Sequence, residues 1–326
     1  MNPSLLKPVY QSKPIASVGA LARCLKIEEQ ELRRLSEEAS SLYRVAKPIV
    51  KADGSIRRPF DAKPPLKRIQ DRIKTEIFSN VLFPPYLTGS LKGHDYVTNA
   101  ELHVNKKVVI CEDIQNFFPS VSHELVYDVW LRCLNFSPDV AAILTKLTVK
   151  DRALPQGAIT SSYLANLALF RWEPRLHGEL AERGISYSRF VDDIAISATH
   201  FFSKQELTRL IRRVYGMLAC AGLKAKRKKH EIFTSKNPMF ATKLLVNKRV
   251  ALPEKERGRI RAAVNQAEKM QASGAPMADL MKAMNTAAGR VATLGRFHKA
   301  QAAPLKGKLR VLRECQLSAD FTTWSD

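Results

Sequence analysis

Ile185-Ser186-Tyr187-Ser188-Arg189-Phe190-Val191-Asp192-Asp193-Ile194-Ala195-Ile196-Ser197-Ala198 is the stretch on which the fold turns. Two β-prone runs, Ile185 to Phe190 and Ile194 to Ala198, flank an adjacent pair of carboxylates, which predicts a hairpin with Asp192 and Asp193 at its tip. An Asp-Asp dipeptide by itself is best read as an ordinary solvated turn. Its apolar neighbours reverse that reading: Phe190-Val191 and Ile194-Ala195-Ile196 would bury both strands, and a solvated turn has no need of two carboxylates on a buried hairpin.

Outward from the hairpin, Lys107 to Glu112 reads as a short apolar strand with Asp113 just at its end. Carboxylates converging from rigid strand ends suit nucleotidyl transfer, in which a 3′-hydroxyl is activated, an α-phosphate is attacked in line and charge is neutralised on the leaving pyrophosphate. Two divalent ions about 3.5 to 4 Å apart do all three, and magnesium needs few carboxylates while keeping positions open for phosphate oxygens. Asp113 facing Asp192 and Asp193 satisfies this if the strands are neighbours in one sheet.

The 53 Lys and Arg against 31 Asp and Glu leave a formal net charge of +22 over 326 residues, which points to a polyanionic partner, nucleic acid first. No segment joins a basic face to bulky apolar residues as a membrane-surface helix would, and no apolar run approaches the roughly eighteen residues that span a bilayer. No membrane partner is expected. Met1 to Lys13 lack the apolar region and cleavage site of a secretory signal, which predicts a cytoplasmic protein. Cys24, Cys111, Cys133, Cys220 and Cys315 are scattered without metal-ligand spacing, so reduced thiols are expected.

Leu21 to Leu42 reads as one helix, Tyr43 to Lys51 as a strand, Asp53-Gly54 as a hairpin turn and Ser55 to Phe60 as the returning strand. Pro64-Pro65 opens an amphipathic helix carrying Leu66, Ile69, Ile73 and Ile77. Ser122 to Leu134, Pro138 to Leu147, a long run from Thr160 to Ala181 and Gln205 to Ala221 read as helices; Glu231 to Thr234 and Ala241 to Val246 read as short strands. From Pro253 onward the pattern is helical, and Lys248 to Asp326 hold 15 basic and 7 acidic residues, a local net of +8.

Three motifs together resemble a known family. Asp113-Ile114-Gln115-Asn116-Phe117-Phe118, Leu154-Pro155-Gln156-Gly157 and Phe190-Val191-Asp192-Asp193 look like the A, B and C motifs of reverse transcriptases, in the family's order. Asn99-Ala100-x-x-His103 resembles a segment typical of the retron branch. The resemblance runs from about Lys51 to Asn247. It implies an α+β right-hand polymerase fold, with fingers and palm over 1–247 and an all-helical, basic, RNA-binding thumb over 248–326.

It also implies roles. Asp113, Asp192, Asp193 and the Ile114 carbonyl match the ligands of two magnesium ions, with manganese as an alternative. Phe118 matches the steric gate beneath the incoming sugar, although a core aromatic beside Phe117 is a competing reading. Gln156 and Gly157 match the loop beside the nascent base pair, the glycine because template or nucleotide approaches its backbone. Arg57 matches the arginine that binds the triphosphate, with Arg58 as a rival. Lys229 matches the motif D lysine that protonates pyrophosphate, or else belongs to a plain basic patch. Asn99, His103 and Lys243 are candidates for RNA contact, with a structural role as the other reading of His103.

The chain departs from the family at three places. Phe190-Val191 stands where Tyr-Ala is common, Ala241-Thr242-Lys243 where retron enzymes often have Val-Thr-Gly, and Lys226 where motif D usually has asparagine. Retron membership would imply a nucleotidyltransferase that uses deoxynucleoside triphosphates, copies its own structured non-coding RNA and leaves a branched RNA-DNA product, msDNA. A separate effector protein in bacterial anti-phage defence would complete the system. The alternatives are a non-retron bacterial reverse transcriptase, intron-derived or of another defence type, and a non-catalytic RNA-binding protein on a polymerase scaffold, against which the three aspartates argue.

Overall fold

A computed structural model describes residues 6–50, 54 and 56–322, with side chains to residue 314. Its centre is a four-stranded antiparallel sheet of β1 (Val108–Asp113), β2 (Ser186–Phe190), β3 (Asp193–Ala198) and β4 (Glu231–Thr234), in the order β4-β1-β3-β2. Val108, Val109 and Ile110 on β1 and Ile194, Ala195 and Ile196 on β3 are all buried, as expected of central strands covered on both faces. The β1–β3 register runs from Val108 opposite Ala198 to Asp113 opposite Asp193, which brings the end of β1 level with the hairpin tip.

Several other elements of the first unit are divided where the sequence reading expects one, at proline in some cases and at a left-handed residue in another. The expected strands on either side of Asp53-Gly54 are each divided: Tyr43–Val45 pairs with Phe60–Ala62, and Ile49–Val50 pairs with Ile56–Arg57. Pro48 and Pro59 lie at the two interruptions, where a residue without an N–H cannot continue a ladder. Asp53 of the expected turn lies outside the described residues, as do Lys51, Ala52 and Ser55. The long helix expected over Thr160 to Ala181 is two helices, Ser161–Leu167 and Glu173–Glu182. Pro174 falls in the first turn of the second, the one place where a helix tolerates proline without losing a hydrogen bond. Leu21 to Leu42 is likewise divided, into Val18–Cys24, Glu29–Glu38 and a 3-10 turn Ala39–Leu42, with Lys26 at φ 52° between the first two.

The contact pattern divides the chain into Met1–Thr242 and Lys243–Asp326. In the second unit, helices Glu254–Ala272, Met277–Phe297 and Lys299–Thr322 pack on one another. Ile260, Val264 and Ala267 on the first and Leu280, Met284, Ala287, Val291 and Leu294 on the second are buried at spacings of three and four, the stripe that a helix presents to its neighbours. No helix among the described residues is long and apolar enough to cross a membrane.

Candidate active site

Asp113 ends β1 and Asp193 begins β3, directly opposite each other in the ladder, and the Ile114 N–H donates to the Asp192 carbonyl at 2.9 Å. Three carboxylate-bearing residues thus meet at one end of the sheet. Asp113 is buried, Asp192 half-buried and Asp193 exposed. Burial first, and the charge of Asp113 second, push the Asp192 carboxyl above its ordinary range, against the opposing pull of Lys229 and Arg57.

A lysine answers this negative charge. The Lys229 ammonium hydrogen-bonds Asp113 Oδ2. Burial would lower its pKa, but that bond and the charges of Asp113, Asp193 and Asp192 outweigh burial and raise it. Among the described residues no three His, Cys, Asp or Glu side chains form a ready-made metal cage. The donor set nevertheless fits hard divalent cations: it is all carboxylate, and burial together with the charge of Asp113 raises Asp192, a cost that a bound cation would offset.

The hairpin tip is held in an unfavourable backbone conformation. Val191 has φ 58°, a region that a β-branched residue rarely occupies unless its surroundings impose it. Two neighbours do so. Arg189, fully buried on β2, donates from Nη1 to the Val191 carbonyl at 3.0 Å, while its Nε and Nη2 reach Glu173 at 2.7 and 2.8 Å. Gly89 lies so close that a Cβ there would fall 2.3 Å from the Val191 nitrogen. Neither Arg189 nor Gly89 was marked by the sequence motifs; an arginine amid small and apolar strand residues was the one available signal.

Of the aromatic pair, Phe117 is buried under the Arg189 guanidinium, 5.7 Å from its ring centre, and Phe118 is only half-buried, its ring 6.1 Å from that of Phe117. One ring belongs to the core and the other is left partly open. Gly157 has φ 102°, and its close neighbour is the Phe60–Ala62 strand: a Cβ would sit 2.6 Å from the Phe60 carbonyl oxygen, and the Phe60 N–H donates to the Gln156 carbonyl at 2.7 Å. Within the chain, the close approach that requires glycine here is that of the Phe60 backbone. Arg57 and Arg58 are both exposed, and of the two it is Arg57 whose charge acts on Asp192. Lys243 is exposed at φ 67°.

Asn99 and His103 do not meet the expectation of RNA contact, since their exposures are 1% and 0%. Helix Tyr96–Glu101, capped by Asp95, aims Asn99 Nδ2 at the hydroxyls of Thr88 and Ser188, both at 2.8 Å. His103 bridges the hairpin strands, with Nδ1 at 2.7 Å from Ser197 Oγ and Nε2 at 2.8 Å from Ser188 Oγ. Both residues tie the hairpin to the helix before β1. Burial, with Lys106 nearby, lowers the His103 pKa to about 3.

Comparison with known proteins adds an independent line. A family model described as reverse transcriptase (RNA-dependent DNA polymerase) matches residues 49–270. The chain is similar to the retron Se72 reverse transcriptase of Salmonella heidelberg, 36% identical over 307 residues that cover 93% of this chain and 81% of the relative. It is 30% identical to the retron Ec48 reverse transcriptase of Escherichia coli over 323 residues, 94% of this chain and 79% of the relative. A solved structure of apo telomerase from Candida tropicalis, truncated from its C-terminal domain, aligns with a TM-score of 0.44 at 9% identity, covering 70% of this chain and 61% of that one.

Proposed function

Because the chain belongs to the reverse transcriptase family, as an RNA-directed DNA polymerase similar to those of retrons, we propose that it copies part of a structured non-coding RNA into DNA. Its fold is the α+β polymerase fold of that family. Synthesis starts from the 2′-hydroxyl of a guanosine in the RNA, so that the product is the branched RNA-DNA molecule msDNA, and the system serves anti-phage defence with a separate effector protein. The observation that carries this reading is the strand-end register of Asp113 opposite Asp193, with Asp192 beside them and the Lys229 ammonium on Asp113.

Asp113, Asp192, Asp193 and the Ile114 carbonyl would hold two divalent ions, magnesium or manganese. Bound there, such ions would supply activation of the primer hydroxyl and neutralisation of charge on the phosphates. The chain's own groups do the rest. The Arg57 guanidinium binds the triphosphate of the incoming deoxynucleotide by paired hydrogen bonds. Phe118 lies beneath the sugar, where a 2′-hydroxyl would strike the ring, and Gln156 and Gly157 border the nascent base pair. Lys229 gives its proton to the departing pyrophosphate. Lys243 and the helices of 248–326, the basic thumb of the reading, hold the RNA through its phosphates and shape.

The test is RNA-templated extension by the purified protein in magnesium, with RNA binding measured in parallel. Asp192→Ala and Asp193→Ala abolish extension while RNA affinity stays within about threefold of the parent, because the basic surface is untouched. Undiminished synthesis by either variant would sink the assignment.

A further inference from the structure

The turn that carries Lys229 is fastened to β1 at two consecutive residues. Lys229 reaches Asp113, and His230 Nδ1 lies 2.7 Å from Glu112 Oε1. Successive strand residues point to opposite faces of a sheet, so the two attachments straddle the end of β1. Glu112 is almost fully buried, with 1% of its side chain exposed, and a carboxylate removed from water in this way requires partners for both oxygens. The second oxygen, Oε2, accepts from the Tyr215 hydroxyl of helix Lys204–Cys220 at 3.2 Å. The Arg227 guanidinium stands 5.9 Å over the Tyr215 ring, which joins the start of the Arg227–Lys229 turn to the same cluster.

On the other side of Lys229 the backbone is anchored as well, since the Lys226 N–H donates to the Asp113 carbonyl at 2.7 Å. Lys229 itself is exposed over 53% of its side chain, and its four-carbon stem has little packing to fix it. What sets the reach of its ammonium is the placement of its backbone between Lys226 and His230. We propose that Glu112 and His230 form a latch that positions Lys229 at Asp113 for nucleotidyl transfer, with Tyr215 holding the second oxygen of Glu112. The proposal rests on the reading of Lys229 as a residue of the active site. His230 is thereby a positioning residue, acting through Lys229 without touching substrate.

The experiment is single-nucleotide extension by the full chain, at a temperature where thermal melts show every variant folded. His230→Ala lowers kcat about tenfold and leaves the KM for the nucleotide within about twofold, because orientation of a group used in the transition state is lost and ground-state binding is not. His230→Asn, whose amide nitrogen can take the place of Nδ1, recovers kcat to within about threefold of the parent. Lys229→Ala is slower than His230→Ala, and the double variant is no slower than Lys229→Ala alone, since removing the latch costs nothing once the group that it positions is gone. Should His230→Ala lose its cooperative melt, Tyr215→Phe takes its place in the cycle and meets the same expectation of no added loss. Full kcat in Lys229→Ala overturns the reading of Lys229 itself. A slow Lys229→Ala together with additive losses, or with full kcat in His230→Ala, overturns the latch alone.

Discussion

The Arg189 guanidinium reaches two residues ahead along its own chain and donates to the Val191 carbonyl, 3.0 Å away, at the turn between β2 and β3. Its charge is balanced by Glu173, whose Oε1 also accepts from the Tyr187 hydroxyl at 2.6 Å. The left-handed φ of Val191 is thus held by an ion pair that is entirely out of water. Leaving one member of such a pair alone is costly: Glu173→Ala should destabilise the first unit by about 3–5 kcal/mol, whereas Arg189→Met combined with Glu173→Leu should cost less. Denaturant unfolding measures both. A loss below about 1 kcal/mol for Glu173→Ala would show that the pair bears little weight.

His103 makes the fold sensitive to acid. Its pKa falls from 6.5 to about 3 on folding, chiefly through burial, so the native state refuses a proton that the unfolded chain accepts. The sign follows: the contribution is fully present above pH 6.5 and is lost progressively as pH falls toward 3. Between pH 7 and pH 5 the parent should lose roughly 2 kcal/mol more stability than His103→Gln, which cannot titrate. Equal losses in the two proteins, measured by denaturant unfolding at both pH values, would remove His103 as the source.

The hairpin and β1 could be read from residue order alone because both are short apolar runs ending in carboxylates, a local pattern that tertiary contacts only reinforce. Burial of Asn99 and His103 could not. Each is a polar residue at or just beyond a short helix, where solvent exposure is the ordinary outcome, and the hydroxyls that bond Asn99 Nδ2 and the His103 ring come from Thr88, Ser188 and Ser197. Glu173 was hidden for a similar reason: its partner Arg189 lies 16 residues away, at the far side of a helix whose start at Glu173 the apolar periodicity had concealed. The attachment of His230 to Glu112 spans 118 residues, and no spacing rule could link them.

Phe117 and Phe118 are adjacent in sequence but should respond differently to truncation. Phe118→Ala opens the half-buried position proposed to lie beneath the sugar, and should raise incorporation of ribonucleotides relative to deoxynucleotides roughly tenfold or more. Phe117→Ala empties a core site beside Arg189 and should cost about 3–5 kcal/mol of stability without that change in selectivity. Paired incorporation assays and melts distinguish the two; an unchanged sugar preference in Phe118→Ala would make it a second core aromatic.

Gly89 is the smallest change by which the hairpin tip can be displaced. The segment carrying it runs beside β2: the Thr88 N–H donates to the Arg189 carbonyl at 3.1 Å, and the Gly89 carbonyl accepts from Asn166 Nδ2 at 2.7 Å. A methyl group at this position would lie 2.3 Å from the Val191 nitrogen, 2.5 Å from Val191 Cγ2 and 2.8 Å from the Phe190 carbonyl carbon. Two of those atoms are backbone, so no rotamer change relieves the overlap, and either the tip or the Gly89 segment has to move. The hydrogen bonds to Arg189 and Asn166 hold the segment, which leaves the tip, and Asp192 with it, as the part that yields. Overpacking of this kind costs about 1–3 kcal/mol, little enough for a folded protein to survive it, while a displacement of about 1 Å at a reacting group can cost on the order of a hundredfold in rate. Gly89→Ala should therefore retain a cooperative melt and RNA binding yet lose most RNA-templated extension, with Gly216→Ala on helix Lys204–Cys220, where nothing lies within 4 Å of the added carbon, as the comparison. Extension by Gly89→Ala at the rate of the Gly216 variant would mean that the tip tolerates displacement and that its close packing is not what positions Asp192.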